Sequence, residues 1–384
     1  MAAESKSSII RVFSLAASLL GLSCIPLQLS GQAPAAAGPD ELVFVNGEKL
    51  AGHLQASTGT SLTFNSDMVG VLIVDWSKVK ELHSSQKFAV IPKGVTLKRN
   101  GDTSQVPQGT VSATAQTIQV ATAAPAPVAI PVSNTVQILD QPSFTKAVTE
   151  RPGIFHGWGG SATFGMTLVR ATQNNDAYTS AVALTRTVPS ESWMDPSNRT
   201  ILTFNSAYGK LSQPGTPSVK TSLWYGGIER DEYFSPRVYV FLEATFDHDY
   251  AQGLDLQQTY GGGVGWTVVK TANSEFDVKG GLNYVNQRFL VAGHNRSFLG
   301  SVFSQAFTHT FPTKLAFHEE AGIQPAWTDM SAYSAFGTAS LSMPVYKSFS
   351  ATLGALDTFL NDPPPGFRKN SFTFTAGLTY TLPK

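Results

Sequence analysis

The sequence is poor in charge, and what charge it has cancels. Its 384 residues include 27 Lys or Arg and 27 Asp or Glu, so charged residues make up 14% and the formal net charge is zero. Soluble globular domains carry roughly 25%. The basic residues form no stripe, which argues against a nucleic-acid partner, and no block of like charge marks an interaction tail. No long internal apolar run is present, which argues against a helical membrane protein. The only cysteine is Cys24. It falls in a segment read below as removed on export, which would leave a chain without disulfides or thiolate chemistry. A Gly-x-Ser-x-Gly nucleophile elbow is also missing. What the sequence does have is glycine, 33 residues, and long alternation of apolar with small polar side chains.

The clearest alternation is the last stretch. Phe372, Phe374, Ala376, Leu378, Tyr380 and Leu382 share one face, while Thr373, Thr375, Gly377, Thr379 and Thr381 share the other. A long strand of this kind at the C-terminus suits a barrel that closes by pairing its last strand with its first, near 162–168. Residues 155–384 contain twelve such segments, at 162–168, 177–186, 200–210, 220–229, 236–247, 256–269, 275–288, 298–311, 313–323, 332–343, 346–356 and 371–382. An even number of strands, each long enough to span hydrocarbon at a tilt, is the signature of an outer-membrane barrel. Asp247, Asp277, Lys279 and Asp357 are assigned to the polar, inward faces, and Tyr233, Phe234, Tyr250, Phe289 and Phe311 to interfacial girdles. Glu319 breaks the pattern, sharing parity with Leu315, Phe317 and Ile323 and so facing lipid unless a bulge intervenes.

Ahead of the barrel, residues 1–33 read as a signal peptide. Lys6 and Arg11 precede an apolar run at 12–25, and small residues at Ser30, Gly31, Ala33 and Ala35 place cleavage between 31 and 37. A short membrane anchor, or a lipoprotein modified at Cys24, are the alternatives. Residues 41–118 read as a small soluble β-domain with turns at Asn46-Gly47 and Asn100-Gly101, its strongest strand at 71–76 and Trp76 as a packing residue. Residues 119–154, rich in Pro, Ala and Thr, read as a linker in the periplasm.

Candidate chemistry is sparse. His248 stands between Asp247 and Asp249, His309 lies alone, and His318 shares a strand face with Glu320. These are polar candidates and rim residues rather than a ligand set, since zinc or calcium would need partners from other strands. No catalytic, cofactor or metal residue is assigned, and no cofactor is expected. Asn198-Arg199-Thr200 and Asn295-Arg296-Ser297 read as loop residues. The glycines Gly261, Gly262, Gly263 and Gly265 have no strand–loop–helix context for a phosphate cradle. They suit tight curvature, or room for a bulky side chain inside the barrel.

Several runs in the barrel carry a family resemblance. Asp231-Glu232-Tyr233-Phe234-Ser235-Pro236-Arg237, Phe246-Asp247-His248-Asp249, Gly253-Leu254-Asp255-Leu256 and the glycine-rich Thr259 to Gly265 run resemble the DUF481 family, which includes salt-induced outer membrane proteins. Asp231, Gly253, Asp255, Gly261, Gly263 and Gly265 are the motif-like positions. Gln257 stands where the family usually has arginine, and the chain ends Pro383-Lys384 where the family tends to end in an aromatic residue. Val74-Asp75-Trp76-Ser77-Lys78-Val79 is similar to a small domain that precedes such barrels. The resemblance implies location more than mechanism.

The expectation is therefore an all-β protein: a transmembrane antiparallel β-barrel of about twelve strands, preceded by a small soluble β-domain, in the outer membrane of a Gram-negative-type bacterium with its N-terminal domain in the periplasm. Its expected partners are outer-membrane lipid, the barrel assembly machinery and a periplasmic or cell-wall component. Its expected role is structural or weakly channel-forming, with a link to salt or osmotic stress implied by the resemblance. A barrel-anchored binding module, a barrel hydrolase acting on envelope lipid and a soluble all-β sandwich are the alternatives.

Overall fold

The computed structural model describes residues 38–170 and 173–382. The signal-peptide reading, Cys24 and the Pro383-Lys384 extension lie outside the described residues.

The N-terminal sheet is built from β1 (Asp40–Phe44), β2 (Lys49–Thr58), β3 (Ser61–Ser66), β4 (Gly70–Asp75), β5 (Val79–Pro92), β6 (Gln108–Thr114), β7 (Thr117–Ala121), β8 (Val128–Pro131) and β9 (Thr135–Asp140), followed by helix α1 (Gln141–Thr149). Its order is β4-β3-β2-β1-β5-β6-β7-β8, with β9 pairing both β2 and β5. Alternate residues point into one core, among them Leu42, Leu62, Phe64, Leu82, Phe88, Ile118 and Ile138. Trp76 packs there, and its indole Nε1 donates to Ser57 Oγ and Thr58 O at 3.1 and 2.9 Å, so the buried N–H is satisfied.

The residues expected to form a linker are instead part of this fold. Residues 117–149 supply three strands and the helix. Their strands are short, and Ile118, Val120, Ile130 and Ile138 are each at most 5% exposed. Proline is tolerated because Pro125 and Pro127 fall between β7 and β8, and Pro131 ends a strand that has only one neighbour. Asp140 caps α1 by accepting from Ser143 N, with a proline in the first turn. The true connection to the barrel is 150–157, and Arg186 clamps it by donating to the carbonyls of Pro152, Gly153 and His156.

Among the described residues twelve antiparallel strands then close a barrel: β10 (Trp158–Arg170), β11 (Asn174–Val188), β12 (Asn198–Ser212), β13 (Val219–Tyr233), β14 (Val238–Asp249), β15 (Leu254–Lys270), β16 (Ser274–Phe289), β17 (Arg296–Thr310), β18 (Ala316–Gln324), β19 (Ser334–Tyr346), β20 (Phe349–Leu360) and β21 (Asn370–Leu382). Each matches one of the twelve segments read from alternation. Closure pairs Gly160–Phe164 of β10 with Leu378–Leu382 of β21. The outward face carries large apolar side chains, such as Leu242, Phe372 and Phe303, exposed by 68%, 64% and 56% as a lipid-facing band requires.

Turns at the end bearing the N-terminal domain are short, at 234–237, 271–273, 311–315 and 347–348, with one exception at 189–197. That turn leaves the barrel and docks on the domain. Trp193 and Met194 join a second core with Ala89, Ile91, Leu97, Val106, Phe144 and Val148. Trp193 stacks on Phe144 with ring centroids 5.9 Å apart, and Asp195 N donates to Leu97 O at 2.9 Å. The long periplasmic turn thus has a packing reason.

Candidate functional site

Strand parity sorts the side chains of the wall, and the inward ones form two unlike halves. One row of directly opposed residues runs Arg199, Asp231, Phe241, Gly263, Gly281 and Val302 across β12 to β17; the next runs Ile201, Glu229, Glu243, Gly261, Asn283 and Gly300. This half is charged and packed. From β18 through the closing seam to β11, the inward positions are mainly hydroxyls and small residues, with His318, Glu320, Phe336, Leu356 and Leu360 among the exceptions.

On the charged half, Arg199 holds three carboxylates. It lies 2.6 Å from Asp231, 3.2 Å from Asp277 and 3.4 Å from Glu275, and its guanidinium sits over the Tyr239 ring at 5.1 Å. Lys279 meets both oxygens of Glu229 at 2.6 and 2.7 Å. Asp231 and Tyr239 are fully buried, and Asp231 Oδ1, Asp277 Oδ1, Tyr239 OH and both amide atoms of Asn283 have no hydrogen-bond partner. Glycine makes room for this filling. A Cβ on Gly265 would lie 2.2 Å from the Tyr239 ring, and one on Gly261 would lie 3.1 Å from Glu243 Oε1. The room for a bulky side chain expected from this glycine run is occupied by Tyr239.

On the other half, Ser342, Thr352, Thr379 and Thr163 form a continuous hydroxyl chain, with steps of 2.8, 2.6 and 2.7 Å that cross the seam between β21 and β10. Apart from Thr379 and Leu360, the larger side chains here are not fully buried: Ser340 and Thr352 are half-buried and His318 is exposed. This half of the lumen is therefore the less packed of the two.

At the extracellular end the lumen is crossed. Asp249 caps a 3-10 turn, Tyr250–Gln252, by accepting from Ala251 N and Gln252 N. Gly253 follows in the left-handed conformation (φ 70°), against the Phe367 ring. From this turn Gln252 Nε2 reaches the opposite wall and donates to Thr358 O and Lys369 O at 2.9 and 3.0 Å. Arg296 joins the same mouth through Asp362 at 2.8 Å and Asp329 at 3.8 Å. The Ser331 hydroxyl holds the Asp329 carboxyl below its ordinary range.

The structure separates the polar candidates. His248 faces outward near the extracellular end, stacked with Trp224 at 6.1 Å, its Nδ1 2.8 Å from Asp255 O. His309 faces outward at the periplasmic end, 2.8 Å from Ser274 Oγ. His318 and Glu320 face inward on β18. The three histidines thus do not converge. Of the motif-like positions, Asp231, Gly261, Gly263 and Gly265 line the charged half. Gly253 serves the mouth turn, and Asp255 pairs with Arg288 at 2.7 Å on the rim.

Some assignments change. Arg199 and Arg296 are not loop residues; Arg199 is the second residue of β12, Arg296 begins β17, and both point inward. Tyr233 lies inside against Tyr239 rather than in a girdle. Asp357 faces outward opposite Phe372, while Glu319 does face outward and accepts from Gln305 at 3.1 Å. The roles of Arg199, Glu229, Glu243, Gln252 and Asn283 are not legible in the sequence, because each gains meaning only from partners on other strands.

A family model described as "Protein of unknown function, DUF481" matches residues 162–382. No curated protein matches. Among solved structures, the translocator domain of the autotransporter NalP from Neisseria meningitidis is similar at 11% identity and a TM-score of 0.33, over 58% of this chain and 87% of that one. The NanC porin is similar at 8% identity and 0.36, over 58% and 100%, and the β-domain of the Bordetella autotransporter BrkA at 8% and 0.31, over 59% and 99%. At such scores nothing is carried from those barrels to this one.

Proposed function

The chain belongs to the DUF481 family, and from its lumen we propose that this bacterial outer-membrane barrel is a weakly channel-forming envelope protein. The observation that carries the reading is the solvent-accessible hydroxyl half of the lumen, obstructed at its outer end by the 250–252 turn and its Gln252 hydrogen bonds. Its inward side chains are mostly hydroxyl-bearing and small, with Phe336 and Leu356 among them, so water and small ions suit it better than metabolites. The ion pairs of Arg296 with Asp362 and Asp329 lie where bulk salt reaches them, since Asp362 and Asp329 are 57% and 41% exposed. Salt screens such pairs, which gives a physical route by which ionic strength would loosen the mouth. This supports a role in salt or osmotic stress.

Purified protein in planar bilayers should give small, infrequent conductance steps. Gln252→Ala and higher salt should both lengthen the open time. Absence of steps under all three conditions would remove the channel reading.

A second reading is favoured by the docked turn at 189–197, which fixes the N-terminal domain against the barrel and suits the presentation of a binding surface to a periplasmic or cell-wall partner. Pull-down from envelope extracts should lose any such partner when Trp193→Ala frees the domain. Retention of the same partners would argue against a presenting role for the docking.

A further inference from the structure

The outward face of β11, β12 and β13 changes character towards the extracellular end. Lower in the wall, Leu184 stands opposite Leu202 and Val182 opposite Phe204, an apolar surface for lipid. Higher up, Tyr178 stands opposite Tyr208, and Tyr208 opposite Ser222. Tyrosine in that place marks the membrane–water interface. Two residues further towards the extracellular end, about 7 Å along the strands, Lys210 stands directly opposite Lys220. Like charges in that position repel. Asp176 flanks Lys210 from β11, so the rung holds two cations and one anion. Among the described residues neither lysine has a hydrogen bond or ion pair, and neither do the hydroxyls of Tyr208 and Ser222. Arg288, an outward cation near the same end of β16, is by contrast neutralised by Asp255 at 2.7 Å.

We infer that Lys210 and Lys220 bind the phosphate of an outer-leaflet lipid headgroup. The inference needs only the outer-membrane position of the barrel and is independent of the channel reading. An ammonium is a compact charge with three donors, suited to phosphate. Two of them on adjacent strands bracket one phosphate, which offsets their mutual repulsion. Lysine stems lie along apolar wall while their heads rise to the headgroups, and Tyr208 and Ser222 add two neutral donors on the side nearer the acyl chains. Position selects a lipid over a soluble anion. These donors look outward from the wall, one rung beyond the tyrosines, where the headgroup layer meets the barrel; they face neither the lumen nor its mouth.

Native mass spectrometry of the full chain tests this, with the protein released from micelles that hold phosphatidic acid and phosphatidylcholine at equal mole fraction. The wild-type protein should retain phosphatidic acid in preference by about 25-fold, the product of about fivefold for each lysine near a charged lipid surface. Lys210→Gln and Lys220→Gln should each lower the preference about fivefold. The pair should abolish it while the heat-dependent shift in gel mobility persists, and Lys210→Arg with Lys220→Arg should restore it. Lys314→Gln with Lys347→Gln, on turns at the periplasmic end, should leave it intact. Millimolar inorganic phosphate should not displace the lipid. No preference in the wild type, a preference that survives the double Gln change, or an equal loss from the periplasmic pair would overturn the site. Displacement by inorganic phosphate would assign the rung to a soluble anion and remove the lipid.

Discussion

The two halves of the lumen hold polar groups inside a thin wall by opposite means. Between β12 and β17 the side chains are long and charged. They cross several strands to find partners, as Arg199 on β12 does with Asp277 on β16, and their packing removes water. From β18 round to β11 they are mostly short hydroxyls, several of which bond to the adjacent strand, as Thr379 does with Thr352 and Thr163. The difference teaches where each kind of stability resides. In the charged half it depends on a few buried ions whose loss cannot be repaired by solvent. In the hydroxyl half each bond is modest, because it joins neutral groups. A barrel can therefore be stiff on one side and passable on the other.

The sharpest way to break the comparison is Arg199→Ala. Removing the shared cation leaves Asp231 and Asp277 uncompensated, which should cost about 3–5 kcal/mol in urea unfolding from vesicles. Gly265→Val attacks the same half by overpacking, since the new side chain meets the Tyr239 ring. It should cost about 1–3 kcal/mol in the same assay. On the hydroxyl half, Thr379→Val removes two side-chain bonds and should cost about 1–2 kcal/mol, seen as a lower temperature for the heat-dependent shift in gel mobility. Equal losses for Arg199→Ala and Thr379→Val would contradict the asymmetry.

The smallest effect concerns the docked turn. Burial raises the Asp195 carboxyl above its ordinary value, only partly offset by Lys98 and Lys270, and its Oδ2 has no partner. A raised folded value means that its contribution to docking is fully present below the unfolded value near 3.8 and is lost as pH rises through the folded value. Asp195→Asn should therefore slow proteolysis of the 189–197 turn slightly at neutral pH. The gain should vanish in acid, below that unfolded value, with an acid-active protease.

The barrel is legible in the sequence because period two persists over many residues in every wall strand, from β10 to β21. The end of the N-terminal domain is less so. Strand β8 spans only Val128–Pro131 and buries one side chain, Ile130, so neighbouring alanine and proline hide it. The lumen is legible only as parity. Asp277 and Lys279 can be turned inward from their own strand, but the charge partners depend on register between strands. Arg199 is the clearest loss: a short polar Asn-Arg-Thr run after Pro196 reads as a loop, although it begins β12 and holds the centre of the charged half.

The asymmetry of the lumen is tested most directly by cysteine accessibility, with Cys24 replaced by serine if the mature chain retains it. Ser340→Cys on the hydroxyl half and Thr259→Cys on the charged half both point inward, but Ser340 is half-buried and Thr259 has no exposed surface. A cationic methanethiosulfonate added in the bilayer assay should label Ser340→Cys rapidly and reduce the current, while Thr259→Cys stays unlabelled. Equal labelling of the two positions, or labelling of Thr259→Cys alone, would contradict a passage confined to the hydroxyl half.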